Sequence, residues 1–358
     1  MYNLKFLSII TRLLNYNLIK YLLGSENVKV TILGAGAYGL ALATMAKMNE
    51  HDITVWSRNQ VELNELEQEH TNKRVLPNYI LPNGIEYTNN LRKAVKNSDL
   101  IIFAVPAGAV DEVSESLKKY YKEQAICIAS KGIEQDTCLF VTDVLKKQID
   151  TDKIAVISGP SFAIDIVKLI PIGLSLGSLV PEVRKIVKDA LENQYMIFEE
   201  CEDIVGIEVC GSVKNIIAIA AGIIDGLGLP ESTQAMFITK ALNDMKEIIV
   251  ALGGNEDTIL TYAGFGDLLL TATSIKSRNF RFGKMLGEGQ PKEIIDSYIE
   301  NTTIEGLYTL KSIYKLLNNK NVTIPIIDLI YDIVFNRKEP SEIKEALTSR
   351  QKTIIKSK

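Results

Sequence analysis

The chain has 358 residues, enough for two domains that each bury a core of their own. Apolar residues make up 46% and charged residues 23%, the balance of a soluble globular protein, and the net charge of −4 gives no support to a nucleic-acid or membrane-surface partner. Cys127, Cys138, Cys201 and Cys210 show no CxxC spacing, which points to reduced thiols, a cytoplasmic setting and no metal site.

Residues 1–27 place Leu7, Ile10, Leu14, Leu18 and Tyr21 at helical spacing, with Lys5, Arg12 and Lys20 off that stripe. This predicts an amphipathic helix, interrupted too often to be an integral membrane segment and without the cleavage site of a signal peptide. It reads as a helix packed on the body or a partner, or as an incidental upstream extension, in preference to an interfacial anchor.

The rest of the chain is organised around the run VKVTILGAGAYGLALA, residues 28–43. Val28 to Leu33 have the composition of a buried parallel strand, and Leu40 to Ala43 are good helix formers. Between them Gly34, Gly36 and Gly39 stand in the spacing G-x-G-x-x-G. Gly34 suits the tight turn, Gly36 lets a pyrophosphate approach the backbone, and Gly39 lets helix and strand pack closely. The helix N-terminus then offers unpaired N–H groups to the phosphates, so the stretch predicts a dinucleotide site.

A second strand is expected over residues 53–56. An acid that would hold a ribose 2′-OH is missing after it, and Arg58 stands there instead. Arg58 could be a solvated loop cation, but its place where the cofactor is discriminated favours NADPH over NADH. A charged helix is expected over residues 61–69 and a loop over 77–82.

The run DLIIFAVP, residues 99–106, reads as a third buried strand. Further strands over 125–130 and 154–157 lead into Lys131-Gly132 and into Ser158-Gly159-Pro160-Ser161-Phe162. Lys131 and Ser161 should therefore meet at the carboxyl edge, where ligands collect in open α/β sheets.

From Ile204 onward the patterns are helical. The almost wholly apolar run 204–229 carries Lys214-Asn215 in its middle. A buried ammonium is costly unless paired or neutralised, so Lys214 is either a lysine snorkelling from an interhelical surface or a catalytic one. Asp267, before an apolar run, either caps the next helix or orients a buried lysine. Lys276, Arg278, Arg281 and Lys284 have no acid among them, and Ser277-Arg278-Asn279 offers the donors of a phosphate clamp. Glu305 opens another helix; the last helix should end before Pro340, leaving 341–358 as a loosely held basic tail. The two histidines, His51 and His70, fall away from the expected substrate side, so Lys131 and Lys214 remain as proton donors.

Taken together, GAGAYGLALA, SKG (130–132), SGPSFA (158–163), GSVKNIIAIAAGIIDGLGL, AGFGDLLLT and SRNFRFG resemble the bacterial NAD(P)-dependent glycerol-3-phosphate dehydrogenases. The resemblance runs from about Val28 to Pro340. It implies an α/β fold: a Rossmann-type doubly wound sheet over 28–203, then an all-helical substrate domain over 204–340. It also implies a cytoplasmic homodimer that reduces dihydroxyacetone phosphate to sn-glycerol 3-phosphate with NADPH or NADH. By resemblance Lys214 is the acid/base, with Lys131 and Asp267 beside it. Gly159, Ser161, Asn215, Ser277, Arg278 and Asn279 would line the substrate site. Ala37, Tyr38, Arg58, Ala163, Arg278 and Glu305 would touch the dinucleotide.

The chain departs from the family pattern at Ile164–Lys168 with Pro171-Ile172, and again at Pro230–Gln234. Two alternatives stand beside the resemblance. A ketopantoate-reductase-like enzyme would not need the 277–279 clamp, and a non-catalytic dinucleotide sensor would not need Lys214 or Asp267.

Overall fold

The computed structural model describes residues 27–349 and 354–355, so the helix expected over residues 1–27 lies outside the described residues except at its last position. Eight strands form the main sheet: β1 (Lys29–Leu33), β2 (Asp52–Trp56), β3 (Ile85–Thr88), β4 (Leu100–Phe103), β5 (Ala125–Ile128), β6 (Ile154–Ser158), β7 (Ile172–Gly177) and β8 (Met196–Cys201). Their order is β3-β2-β1-β4-β5-β6-β7-β8, and every pairing is parallel except β6 with β7. Helices on both faces make this a doubly wound sheet. Every residue of β4, β5 and β6 is buried, which is why these strands read as continuous apolar runs.

Three strands carry little sequence signal. β3 is four residues long, β7 (IGLSLG) holds two glycines, and β8 (MIFEEC) ends in polar residues at the sheet edge. Pairing, rather than composition, makes them strands. The switch in strand order between β1 and β4 opens a crevice at their carboxyl ends, beside the glycine loop.

The sheet ends at Cys201, and the central helix of the helical part runs Ile204–Gly226. The Asp203 carboxylate accepts the Gly206 N–H at 2.9 Å and caps this helix. Its mean hydropathy of 1.7 would suit a membrane span, but its most apolar window is wholly buried inside the bundle. Helices Glu231–Leu252, Asp267–Thr273, Arg278–Gly287, Glu305–Asn319 and Pro325–Phe335 pack around it. Against Arg278–Gly287 the approach is backbone to backbone. A Cβ on Gly222 would overlap the Phe280 carbonyl, and one on Gly283 would overlap that of Ile219.

The chain end differs from expectation. The helix Pro325–Phe335 does stop before Pro340, but residues 341–349 are not loose. Helix Ile343–Thr348 buries Ile343 and Leu347, and Lys240 Nζ donates to the Ala346 carbonyl at 2.7 Å. Ile354–Ile355 pairs antiparallel with Val322–Thr323. An apolar pair four residues apart outweighs the basic composition that surrounds it.

Candidate active site

The glycine loop fits a dinucleotide by its geometry. Gly34 has φ +122°, and a Cβ there would lie 2.6 Å from the Ala104 carbonyl oxygen. A Cβ on Gly39 would overlap the Gly34 carbonyl, so only glycine lets helix Ala37–Met48 sit this close to β1. Above Gly36 there is no atom within 4 Å of a Cβ position, which leaves an open approach at a helix N-terminus for phosphates.

Around the sheet edge the structure gathers the expected side chains into one network. Lys131, just past β5, donates to Asp267 Oδ2 at 2.8 Å and reaches the Gly159 carbonyl at 3.5 Å. From the opposite side Lys214, on the central helix, donates to Asp267 Oδ1 at 2.5 Å and to Thr271 Oγ1 at 3.2 Å. Asp267 is 2% exposed and does not cap its helix; it orients two lysines. Thr271 and Ser158, which approaches Asp267 Oδ2 at 3.5 Å, complete the surround. Sequence reasoning missed both. The i, i+4 spacing from Asp267 was a usable signal for Thr271.

Two ammonium charges cannot both be balanced by one carboxylate. Burial pulls Lys214 down to about 8; Asp267 opposes that pull and the Lys131 charge adds to it. Burial also pulls on Lys131, but Asp267 and its other neighbours outweigh it and hold that ammonium above its ordinary value. Burial would raise Asp267, yet the two ammonium groups keep it below the usual carboxylate range. The less exposed lysine is thus the one poised to release a proton.

Tyr38, in the first turn after the glycine loop, meets Ser161 Oγ at 3.1 Å, and Ser161 donates to the Gly159 carbonyl at 3.2 Å. Burial raises the Tyr38 phenol above its ordinary value, against the Lys131 charge nearby. Ala163 opens a short helix that packs on Ala37–Met48.

A second network adjoins Lys214. Asn279 donates to Asn215 Oδ1 at 2.9 Å and accepts the Gly306 N–H at 2.9 Å, while Asn215 reaches Glu305 Oε2 at 3.3 Å. Ser277 Oγ accepts the Phe280 N–H and caps helix Arg278–Gly287. The cations that looked unpartnered in sequence are engaged in space. Lys284 meets Asp225 at 2.7 Å, Lys276 meets Asp165 at 3.9 Å, and Arg281 lies over the Tyr298 ring. Arg278 stays half exposed, 3.5 Å from Glu305, with its head at the cleft network.

His51 is buried between the Val28 amide and the Asp189 carbonyl, remote from these groups. The expected cofactor residue Arg58 also stands apart from the lysines, paired with Glu112.

Two family models match the chain: NAD-dependent glycerol-3-phosphate dehydrogenase N-terminus over residues 29–183, and its C-terminus over 203–345. The chain belongs to the NAD-dependent glycerol-3-phosphate dehydrogenase family. Glycerol-3-phosphate dehydrogenase [NAD(P)+] of Fusobacterium nucleatum is 36% identical over 332 residues, covering 91% of this chain and 98% of that protein. The enzyme of the same name from a Thermoanaerobacter species is 38% identical over 326 residues, covering 91% and 98%. The crystal structure of the Coxiella burnetii glycerol-3-phosphate dehydrogenase superposes with a TM-score of 0.84 at 32% identity, covering 90% of this chain and 99% of that one. In this chain the Asp267 carboxylate holds both lysines, Lys131 and Lys214, at the edge of the crevice.

Proposed function

We propose that this chain reduces dihydroxyacetone phosphate to sn-glycerol 3-phosphate, reversibly, with Lys214 as the proton donor. The observation that carries the reading is the buried Lys131–Asp267–Lys214 array at the edge of the dinucleotide crevice. A bound NAD(P)H supplies the hydride. As the C2 carbonyl is reduced, Lys214 Nζ gives its proton to the C2 oxygen; in the reverse direction the neutral amine takes it back. Asp267 fixes the amine's direction, and Lys131, which keeps its charge, stabilises the negative oxygen. Gly159 and Ser161 border the reacting end of the substrate.

The phosphate end falls to Arg278, assisted by the N–H groups that begin its helix; Ser277 and Asn279 hold that helix in place. Lys214 and Asp267 are both present and paired, unlike in a non-catalytic sensor. Arg58 supports recognition of a 2′-phosphate, hence use of NADPH as well as NADH. A homodimer is the reading that fits Leu260, Phe265, Leu269 and Ile275, exposed apolar residues that a second copy would cover. Four free thiols accord with a cytoplasmic setting.

The test is an absorbance assay of coenzyme oxidation with dihydroxyacetone phosphate and with ketopantoate, each with NADH and NADPH. Turnover of the phosphate substrate with either coenzyme is expected; turnover of ketopantoate alone would overturn the assignment.

A further inference from the structure

Arg58 follows the end of β2, and Glu112 stands in the first turn of helix Val110–Lys118, which follows β4. β2 and β4 flank β1 in the sheet, so both residues belong to the carboxyl edge on either side of the glycine loop. Arg58 Nη1 and Glu112 Oε1 lie 2.6 Å apart, with the side chains 56% and 65% exposed. The acid next to Glu112 and the acid four residues past Arg58 are engaged elsewhere. Asp111 accepts from Gln148 at 2.9 Å, and Glu62 pairs with Arg74.

We propose that Glu112 is a coenzyme-selecting residue: its carboxylate competes with a 2′-phosphate for the Arg58 guanidinium and so sets the ratio of NADPH to NADH affinity. The proposal rests on the reading that Arg58 faces the ribose 2′ position. The physical argument is a difference between the two ligands. A 2′-phosphate carries about two negative charges, so it must take Arg58 away from Glu112 and then sit beside an unpaired carboxylate. A 2′-hydroxyl is neutral, leaves the ion pair intact and can donate to the same carboxylate. An exposed ion pair contributes little, so the exchange is feasible and the penalty modest. Glu112 therefore moderates the phosphate preference that Arg58 alone would confer, and yields an enzyme that accepts both coenzymes. If Glu112 served only as a first-turn acid of its helix, its loss would change stability slightly and affect both coenzymes alike.

The experiment measures dissociation constants of NADPH and NADH by calorimetry, without substrate. Energy transfer from Trp56, the one tryptophan of the chain, provides a second readout. The proteins compared are wild type, Glu112→Gln, Arg58→Ala and the double variant. Glu112→Gln is expected to tighten NADPH about fivefold with NADH changed less than about twofold, and the gain should vanish in the Arg58→Ala background. If Arg58→Ala weakens NADPH selectively while Glu112→Gln leaves the ratio unchanged, the role of Glu112 is overturned and that of Arg58 stands. If Arg58→Ala weakens both coenzymes equally, the Arg58 reading falls and the proposal with it.

Discussion

Lys214 Nζ lies 2.5 Å from Asp267 Oδ1, while the other oxygen of that carboxylate is held by Lys131. One anion thus serves two cations in a largely buried site. The less accessible cation is left closest to neutrality, which is the condition a proton donor needs near neutral pH. In the proposed reaction, Asp267 is what makes a buried lysine usable as a directed acid.

Replacing Lys214 with Met keeps the stem packed and removes the proton. Loss of general acid catalysis is expected to lower kcat by about 10²–10⁴-fold. NADPH binding, measured by calorimetry, should be unchanged. Near-native kcat would move the acid role to another group.

Because Lys214 titrates at about 8, the reduction should slow as pH rises through that value, when the donor form disappears. The oxidation, which needs the neutral amine, should speed up over the same range. Asp267→Asn removes the carboxylate that favours the charged form, so the basic limb of the reduction profile should move to lower pH. The check is kcat against pH for both proteins; a limb that stays in place, or moves upward, contradicts this coupling.

Glu208 is buried and accepts from the amide and hydroxyl of Thr142 at 3.0 and 2.6 Å. Burial raises its carboxyl from 4.5 to about 7, against the Thr142 hydrogen bonds. Between those values the unfolded chain releases a proton that the folded one retains. Stability is therefore complete below the lower value and is lost as pH rises through the upper one, by about 3 kcal/mol at most. Urea unfolding from pH 5 to pH 8 should show the wild type losing ground to Glu208→Gln. Parallel stability curves would mean that Glu208 is ionised in the fold.

Gly283→Ala places a methyl group on the Ile219 carbonyl, where backbone meets backbone. Overpacking of this kind costs about 1–3 kcal/mol, with a lower Tm by calorimetry. Arg278, Asn279 and Ser277 ride on the displaced helix, so KM for the phosphate substrate should rise more than KM for coenzyme. An unchanged Tm would show that the two helices have room to part.

The sequence by itself determined the strands that are buried on both sides, because a strand covered by helices on two faces must be apolar throughout. It also determined the glycine loop, because only glycine tolerates the close approaches at Gly34 and Gly39. Lys214 was visible as a charge that an apolar helix would not carry without a reason. Other features were decided only by tertiary structure. β3, β7 and β8 take their form from pairing, and helix Ile343–Thr348 is held by contacts that its charged neighbours hide. Whether Asp267 caps a helix or bridges two lysines, and which partner each cation of 276–284 meets, depends on residues far away in the chain. So does the pairing of Arg58 with Glu112, 54 residues apart. The physical reason is one of range. Backbone sterics and burial act on each residue locally and leave a mark in composition. Electrostatic partnership acts through space, between side chains whose separation in sequence says nothing about their distance.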